Sequence, residues 1–329
     1  MKQLNFAILG AGSIAGTMAR TIARMPQVKS YAVGSRTLEK AQAFAAEHGF
    51  EKAYGSYEEL VQDPNVDLVY IATPHSHHLP CMELCLDHKK AILCEKAFTV
   101  NAAQARKILA RAEAEGVLIT EAIWPRYMPM AKTLRDFAAS GKIGKITHVY
   151  AELCYPVFNV QRLWDPHLAG GALLDIGVYP LTFVANLLGS KPVSVVSDAQ
   201  LSDRGMDMQN TILLTYADGT KATVHSSAIH GSPRQAVISG TEGYAIVANM
   251  NNYEYLEIYD KDYHLLERID APAQISGYEY EVEACIEALD KGWLECPQMP
   301  HAETISVMEL MDQIRAQWGM VYPPEIEKL

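Results

Sequence analysis

Residues 4–15 read LNFAILGAGSIA, and no other stretch limits the fold so tightly. Leu4–Leu9 is a short apolar run with the length of an interior strand. It breaks on Gly10-Ala11-Gly12-Ser13-Ile14-Ala15, a dinucleotide fingerprint with Ala15 in the third glycine position. In that fingerprint the first glycine permits a tight turn. The second lets the backbone approach a pyrophosphate, which then meets the N-terminus of the next helix. A plain glycine turn between strand and helix has the same spelling, so the surrounding pattern decides.

That pattern alternates as far as residue 121. Apolar runs at Leu4–Leu9, Ser30–Val33, Leu68–Ala72, Ala91–Cys94 and Val117–Thr120 read as strands. Helical spacing lies between most of them, at Ile14–Arg24, Leu38–Glu47, Tyr57–Val61, Leu79–Leu86 and Ala102–Ala114. Ser56 with Glu59 and Asn101 with Gln104 fit capping-box starts. Strands alternating with helices predict a parallel sheet wrapped on both faces, an α/β Rossmann domain over residues 1–122.

After Trp124 the pattern changes. One amphipathic helix is expected at Met128–Ala139, then longer strands that include Ile146–Leu153, Thr211–Tyr216, Lys221–Ala228, Gln235–Ser239 and Tyr255–Tyr259. Asp218-Gly219 between two of them is a hairpin signal. A glycine-opened helix at Gly170–Leu188 interrupts the strands, and helices at Tyr278–Asp290 and Ala302–Trp318 close the chain. Residues 123–329 therefore read as an α+β domain with a large, mostly antiparallel sheet. With no flexible linker near 122, the two domains are expected to pack closely.

Ligands in open α/β sheets bind outside the carboxyl ends of the strands. One such end reads Ala72-Thr73-Pro74-His75, and the next Cys94-Glu95-Lys96. Lysine and glutamate are seldom buried unpaired, so a core strand ending on that pair is expected to open into the crevice. Lys96 then lies where the nicotinamide half of a cofactor belongs. Glu95 pairs with Lys96, pairs with another cation, or faces solvent. The second strand ends Val33-Gly34-Ser35-Arg36, where an NAD site usually carries an acidic residue for the ribose. A small hydroxyl and an arginine suit a 2′-phosphate instead. NADP is favoured over NAD, the alternative being that Arg36 is a solvated residue at a helix start.

Composition narrows the partners. The formal net charge is −11, which excludes non-specific nucleic-acid binding. No apolar run is read as the roughly 20 residues needed to cross a bilayer. Residues 1–9 are too short and polar for a signal peptide, so six scattered cysteines suggest reduced thiols in a cytoplasm. His77, Cys81, Cys85 and His88 recur on one helical face. The outer pair would sit about 16 Å apart at 1.5 Å per residue, so one straight helix cannot wrap a metal with all four. No metal site is expected.

Taken together, GAGSIA, ATPHSHH, CEKA and GGALLDIGVY resemble the Gfo/Idh/MocA oxidoreductases over essentially the whole chain. SRTLEKAQAFA, AYGSYEEL, DLVYIATPHSHH and EAIWPRY are most similar to the branch of dimeric dihydrodiol dehydrogenases and NADP-dependent D-xylose dehydrogenases. The resemblance implies hydride transfer between NAD(P) and a secondary alcohol or carbonyl of a sugar, polyol or trans-dihydrodiol. It implies a homodimer or higher homo-oligomer through the C-terminal sheet. It also implies that Lys96 touches substrate and nicotinamide ribose, and that Asp175 and Tyr179 are the family's aspartate and aromatic acid/base. The usual Glu-Lys-Pro is Glu95-Lys96-Ala97 here, and alanine does not fix φ as proline does.

If Tyr179 is the base, its ordinary value near 10 is too high for neutral pH. A neighbouring Lys96 ammonium is expected to lower it. Asp175, four residues earlier, would share its helix face. Trp124 and Arg126 wall the substrate site or merely pack. Arg162, Trp164 and His167 reach substrate hydroxyls or lie in a solvated loop, and His75 lines the pocket or only ends a strand. Two other functions stay open on the same fold, an NADP-sensing regulator without turnover and a redox-neutral NAD-dependent glycosidase.

Overall fold

The computed structural model describes residues 3–328. Six strands form the first sheet: β1 (Leu4–Leu9), β2 (Val28–Gly34), β3 (Lys52–Tyr54), β4 (Leu68–Ile71), β5 (Ala91–Glu95) and β6 (Ile119–Ala122). Their order is β3-β2-β1-β4-β5-β6, and every pairing is parallel. The chain order reverses between β1 and β4, which opens a crevice at their carboxyl ends. The central strands are apolar throughout because helices cover both faces. Phe6–Leu9, Leu68–Ile71 and Ile92–Cys94 are fully buried.

The helix starts read from sequence are capped, with one shift. Ser56 Oγ accepts from Glu59 N at 3.2 Å, and Asn101 Oδ1 from Gln104 N at 2.9 Å. The reciprocal bonds go one residue further back: Glu59 Oε2 accepts from Gly55 N and Gln104 Oε1 from Val100 N.

Eight strands form the second sheet: β7 (Ile146–Cys154), β8 (Ser194–Leu201), β9 (Asp207–Thr215), β10 (Lys221–Ser227), β11 (Ala236–Gly240), β12 (Gly243–Ala248), β13 (Tyr255–Asp260) and β14 (Leu265–Asp270). The order is β14-β13-β12-β11-β7-β10-β9-β8, antiparallel except for β7 against β10. Asp218-Gly219 turns β9 into β10 as expected, with Gly219 at φ +88°. One face packs on the helix Val178–Leu188, while alternate residues of β10 to β13 on the other face stay half-buried.

The sequence reads as having no apolar run long enough for a bilayer. Pro166–Leu188 does meet that test by length and composition, but it is mostly buried inside the fold, as a core helix is. The helices Glu279–Lys291 and His301–Trp318 return to the first sheet. Ala102 N donates to Asp312 Oδ2, His301 bonds the Ile119 carbonyl, and Arg315 bonds the Val100 carbonyl. Both sheets consequently share one apolar core.

Candidate active site

A cleft of about 890 Å³ runs from the carboxyl ends of β1, β2, β4 and β5 to the second sheet. At one end lies the glycine turn. Gly10 has φ +100°, and a Cβ there would meet the Ala72 carbonyl oxygen at 2.8 Å. Nothing lies within 4 Å of where a Cβ on Gly12 would sit, so its backbone stands open to the cleft. Gly12 caps the helix Ser13–Ile22, which has neither a side-chain cap nor an acidic residue in its first turn. Its leading N–H groups suit an anion. That arrangement fits a dinucleotide pyrophosphate, with Gly10, Gly12, Ser13 and Ile14 in the lining.

Ser35 and Arg36 line the far end, joined by Lys40, Tyr57 and His77. Ser35 is buried, which leaves room for a bulky group only beyond it. Lys40 is in the first turn of the helix Leu38–His48, capped by Thr37. A second cation therefore stands beside Arg36. No motif in the sequence marks Lys40 as a candidate.

Thr73, Pro74 and His75 follow β4 along the cleft wall. His75 Nδ1 bonds the Ala169 carbonyl at 2.9 Å, and burial pushes the imidazole down to about 4, so it is neutral at physiological pH. The four-residue repeat at His77–His88 serves packing: Cys81 and Cys85 are buried, and burial raises the Cys81 thiol to about 12. Glu95 does not face solvent. It accepts a very short hydrogen bond from Tyr70 Oη and one of 3.2 Å from Lys96 N. Burial raises its carboxyl above the usual range, against the pull of Lys96 and the Tyr70 hydroxyl.

Lys96 leaves the end of β5, and its peptide bond to Ala97 is cis. Nζ donates to the Asp175 carbonyl at 2.5 Å and lies 3.3 Å from Asp175 Oδ1. Arg162 grips the same carboxylate from the other side, at 2.9 and 3.3 Å. Burial alone would raise Asp175, but Lys96, Arg162 and His75 overcome it and hold the carboxyl well below the usual range. Asp175 is thus a fixed anion among cations.

The segment that carries Asp175 begins at Gly170-Gly171. Gly171 has φ +109°, and a Cβ there would meet Asp207 Oδ1 at 2.3 Å. Asp207 Oδ2 accepts from Leu173 N at 2.9 Å and from Asn210 Nδ2 at 2.8 Å, so β9 anchors the helix start. Leu173–Gly177 is a wide π turn, not the α-helix expected, and Val178–Leu188 continues as α-helix. Asp175 and Tyr179 both still line the cleft.

Tyr179 departs from expectation. Lys96 Nζ lies over its ring, 4.9 Å from the centroid, and the hydroxyl accepts from Trp124 Nε1 at 3.1 Å. Burial, with Tyr278 and Glu95 nearby, raises the phenol well above 10, and the Trp124 bond opposes this only in part. The net shift is thus upward, opposite to the lowering expected.

Trp124 also stacks on Tyr278, with centroids 4.4 Å apart and planes at 11°. It walls the cleft as anticipated, but Arg126 does not. That guanidinium is buried behind the cleft, ion-paired to Glu303 and bonded to the Gln298 carbonyl. Trp164 is outside the lining too, its ring covered by the Arg204 guanidinium at 4.3 Å. Tyr278, Tyr155 and Asn251 come in from remote segments. Asn251 Nδ2 donates to Tyr155 Oη at 3.1 Å, and no spacing signal in the sequence marks either.

Comparison with known proteins agrees with this geometry. Residues 4–122 match the oxidoreductase family described as having an NAD-binding Rossmann fold, and residues 131–246 match the GFO/IDH/MocA C-terminal domain. The trans-1,2-dihydrobenzene-1,2-diol dehydrogenase of Mus musculus is 34% identical over 98% of this chain and 99% of its own. That of Xenopus tropicalis is 34% identical over 97% and 99%. Among solved structures, KijD10, a 3-ketoreductase from Actinomadura kijaniata with NADP and TDP-benzene, has TM-score 0.86 and 24% identity over 96% of this chain and 98% of its own. A levoglucosan dehydrogenase with NADH and L-sorbose has TM-score 0.86 and 17% identity over 97% of each chain. The chain belongs to the Gfo/Idh/MocA family of NAD-binding oxidoreductases.

Proposed function

We propose that this oxidoreductase is an NADP-preferring dehydrogenase of trans-dihydrodiols, with Tyr179 as acid/base. The observation that carries the reading is a single cleft with an open glycine turn at one end and Lys96, Asp175 and Tyr179 at the other. Residues 1–122 hold the cofactor in this reading, and residues 123–329 supply most of the substrate wall.

A bound nicotinamide would supply the hydride chemistry, with Gly10, Gly12, Ser13 and Ile14 holding the pyrophosphate. The chain's own groups handle the proton and the orientation. The Tyr179 hydroxyl exchanges a proton with the substrate oxygen, while the Trp124 N–H holds that hydroxyl in place. Lys96 keeps a positive charge at the reacting oxygen. Asp175, gripped by Lys96 and Arg162, keeps both cations aimed into the cleft. Neutral His75 adds no competing charge.

The substrate wall favours a ring over a polyol. Leu153, Val157, Val160, Leu168 and Ile176 are apolar, and Trp124 with Tyr155 and Tyr278 adds aromatic surface. A sugar hydroxylated on every carbon would leave polar groups against that wall unpaired, which costs binding. A diol with one apolar edge would not. The mouse and frog relatives carry the name of a dihydrobenzene-diol dehydrogenase, which supports the same class.

NADPH formation followed by absorbance, with trans-dihydrodiols beside aldoses and polyols, tests the reading. A higher kcat/KM on an aldose would overturn the substrate class. NADP binding without turnover of any of them would put the sensor reading ahead. We infer further that the half-buried outer face of the second sheet meets a second copy of the chain, which sedimentation would detect. All six cysteines are buried free thiols, which suits a reducing cytoplasm.

A further inference from the structure

The outer face of the second sheet also carries side chains that the cleft does not use. Cys154 ends β7, His225 lies on the neighbouring β10, and His230 stands in the loop that follows. Side chains alternate along a strand, so Leu153 turns to the cleft and Cys154 to the opposite face. His225 pairs with Glu152 across the strands, which makes it a diagonal neighbour of Cys154. We propose that Cys154 Sγ, His225 Nε2 and His230 Nε2 form a three-ligand site for a divalent cation of the zinc class.

Three observations carry this. One ligand atom from each residue already lies within 4.8 Å of the other two. The two Nε2 atoms are 3.4 Å apart. Zinc–nitrogen bonds of about 2.0–2.1 Å at a tetrahedral angle would set them about 3.3–3.4 Å apart. Such an ion would put sulfur roughly 3.6 Å from each nitrogen, which both the half-buried His225 and the exposed His230 side chains would adjust to reach.

The far ring nitrogens are already held as ligand histidines hold them. His230 Nδ1 lies 3.0 Å from the Gly231 carbonyl, which only accepts. The ring proton therefore sits on Nδ1, and Nε2 presents its lone pair. His225 Nδ1 lies 3.0 Å from Thr211 Oγ1. Metal-bound histidines commonly donate the second N–H to such an oxygen. Without an ion, the Thr211 hydroxyl donates to Nδ1 and the His225 Nε2 proton bridges to His230. Binding moves the His225 proton to Nδ1, where Thr211 accepts it, and releases the Cys154 thiol proton to solvent. One thiolate with two imidazoles selects zinc-like ions over magnesium or calcium.

The site also has a mechanical consequence. The Ala228 carbonyl accepts from Val157 N at 2.9 Å and from Phe158 N at 2.8 Å, and Arg234 lies over the Tyr155 ring. An ion joining β7 to the loop that carries His230 would brace the substrate wall from behind.

The full chain, dialysed against a chelator, is titrated with Co²⁺ alone and then with Zn²⁺. The expected result is one Co²⁺ per chain, with tetrahedral d–d absorption and a thiolate-to-cobalt charge-transfer band that Zn²⁺ abolishes. Cys154→Ser should remove the charge-transfer band. His230→Ala, in an exposed loop, should weaken binding at least about tenfold, and Thr211→Val roughly 10–100-fold. An octahedral cobalt spectrum, or a charge-transfer band that survives Cys154→Ser, would overturn the proposal.

Discussion

The Lys96 ammonium stands over the face of the Tyr179 ring, 4.9 Å from its centroid, and its hydrogen bonds go to Asp175 instead of the phenolic oxygen. A cation there is attracted to the ring's negative face and makes no hydrogen bond to the oxygen. Burial, with Tyr278 and the Glu95 and Asp175 carboxylates nearby, then decides, and the phenol stays protonated through the neutral range. Before cofactor binds, the Tyr179 phenol holds its proton.

This fixes the sign of the pH dependence. Reduction, which needs the phenol protonated, should be flat with pH through the neutral range. Oxidation, which needs the proton removed, should keep rising with pH and show no plateau well below 10. Tyr179→Phe should lower turnover by about 10²–10⁴-fold and flatten the oxidative profile, with folding and NADP binding retained. Lys96→Met should also suppress turnover but leave a pH-dependent residue of activity. An oxidative plateau near neutrality, or an unchanged profile in the phenylalanine variant, would remove Tyr179 from this role.

Trp124 supplies the one bond seen to favour the phenolate, from Nε1 to the Tyr179 hydroxyl. Trp124→Phe removes that donor and keeps an aromatic ring against Tyr278. Loss of a neutral hydrogen bond is worth about 0.5–1.5 kcal/mol. Oxidation at fixed neutral pH should fall about 2–12-fold, and its rise should move to higher pH. Stopped-flow rates across a pH series would check both, and a shift to lower pH would contradict the geometry.

The division between legible and hidden parts follows burial. The first sheet was readable because β1, β4 and β5 are buried on both faces and spell continuous apolar runs. Four strands escaped: β12, whose run GYAIVA is apolar on both faces and shows no alternation, and three marginal ones. β3 has three half-buried residues, and β8 and β14 are sheet edges with mostly exposed side chains, so neither pattern has a strong apolar face. In the site, Lys96, Asp175 and Tyr179 lie in runs whose order alone carries the resemblance. Tyr155, Asn251 and Tyr278 meet only after the second sheet has folded. Arg126, beside the domain crossing, and Trp164, before the glycine-opened helix, misled because such residues look alike in sequence whether they face the cleft or pack elsewhere, here against Glu303 and Arg204.

In the proposed reading, Arg36 and Lys40 set the cofactor preference. Both line the end of the cleft beyond Ser35. Arg36→Ala should weaken NADP by the value of a charge-assisted bond, about 1.5–3 kcal/mol, and leave NAD nearly unchanged. Lys40→Ala should give a smaller loss in the same direction, because an ammonium on a flexible stem grips a phosphate less rigidly than a guanidinium. Calorimetric titration with the two cofactors separates these outcomes. Equal affinities for NADP and NAD in the unmutated protein would sink the assignment.

Asp207 links the site to stability. It is fully buried and anchors the start of the segment that carries Asp175, and burial raises its carboxyl to about 6 despite the bonds from Asn210 and Leu173. The unfolded chain titrates near 3.9. A folded value above the unfolded one means that the native state holds the proton more tightly. The associated stability is complete below about pH 4 and is lost as pH rises through about 6, to a total of roughly 3 kcal/mol for a shift of about two units. Asp207→Asn keeps an oxygen for Leu173 N and carries no charge at any pH. The variant should therefore gain on the wild type as pH rises, by little at pH 4 and by most of that amount at pH 8. Urea unfolding at the two pH values would measure it. A difference between variant and wild type that stays constant with pH would mean that Asp207 does not hold its proton as described.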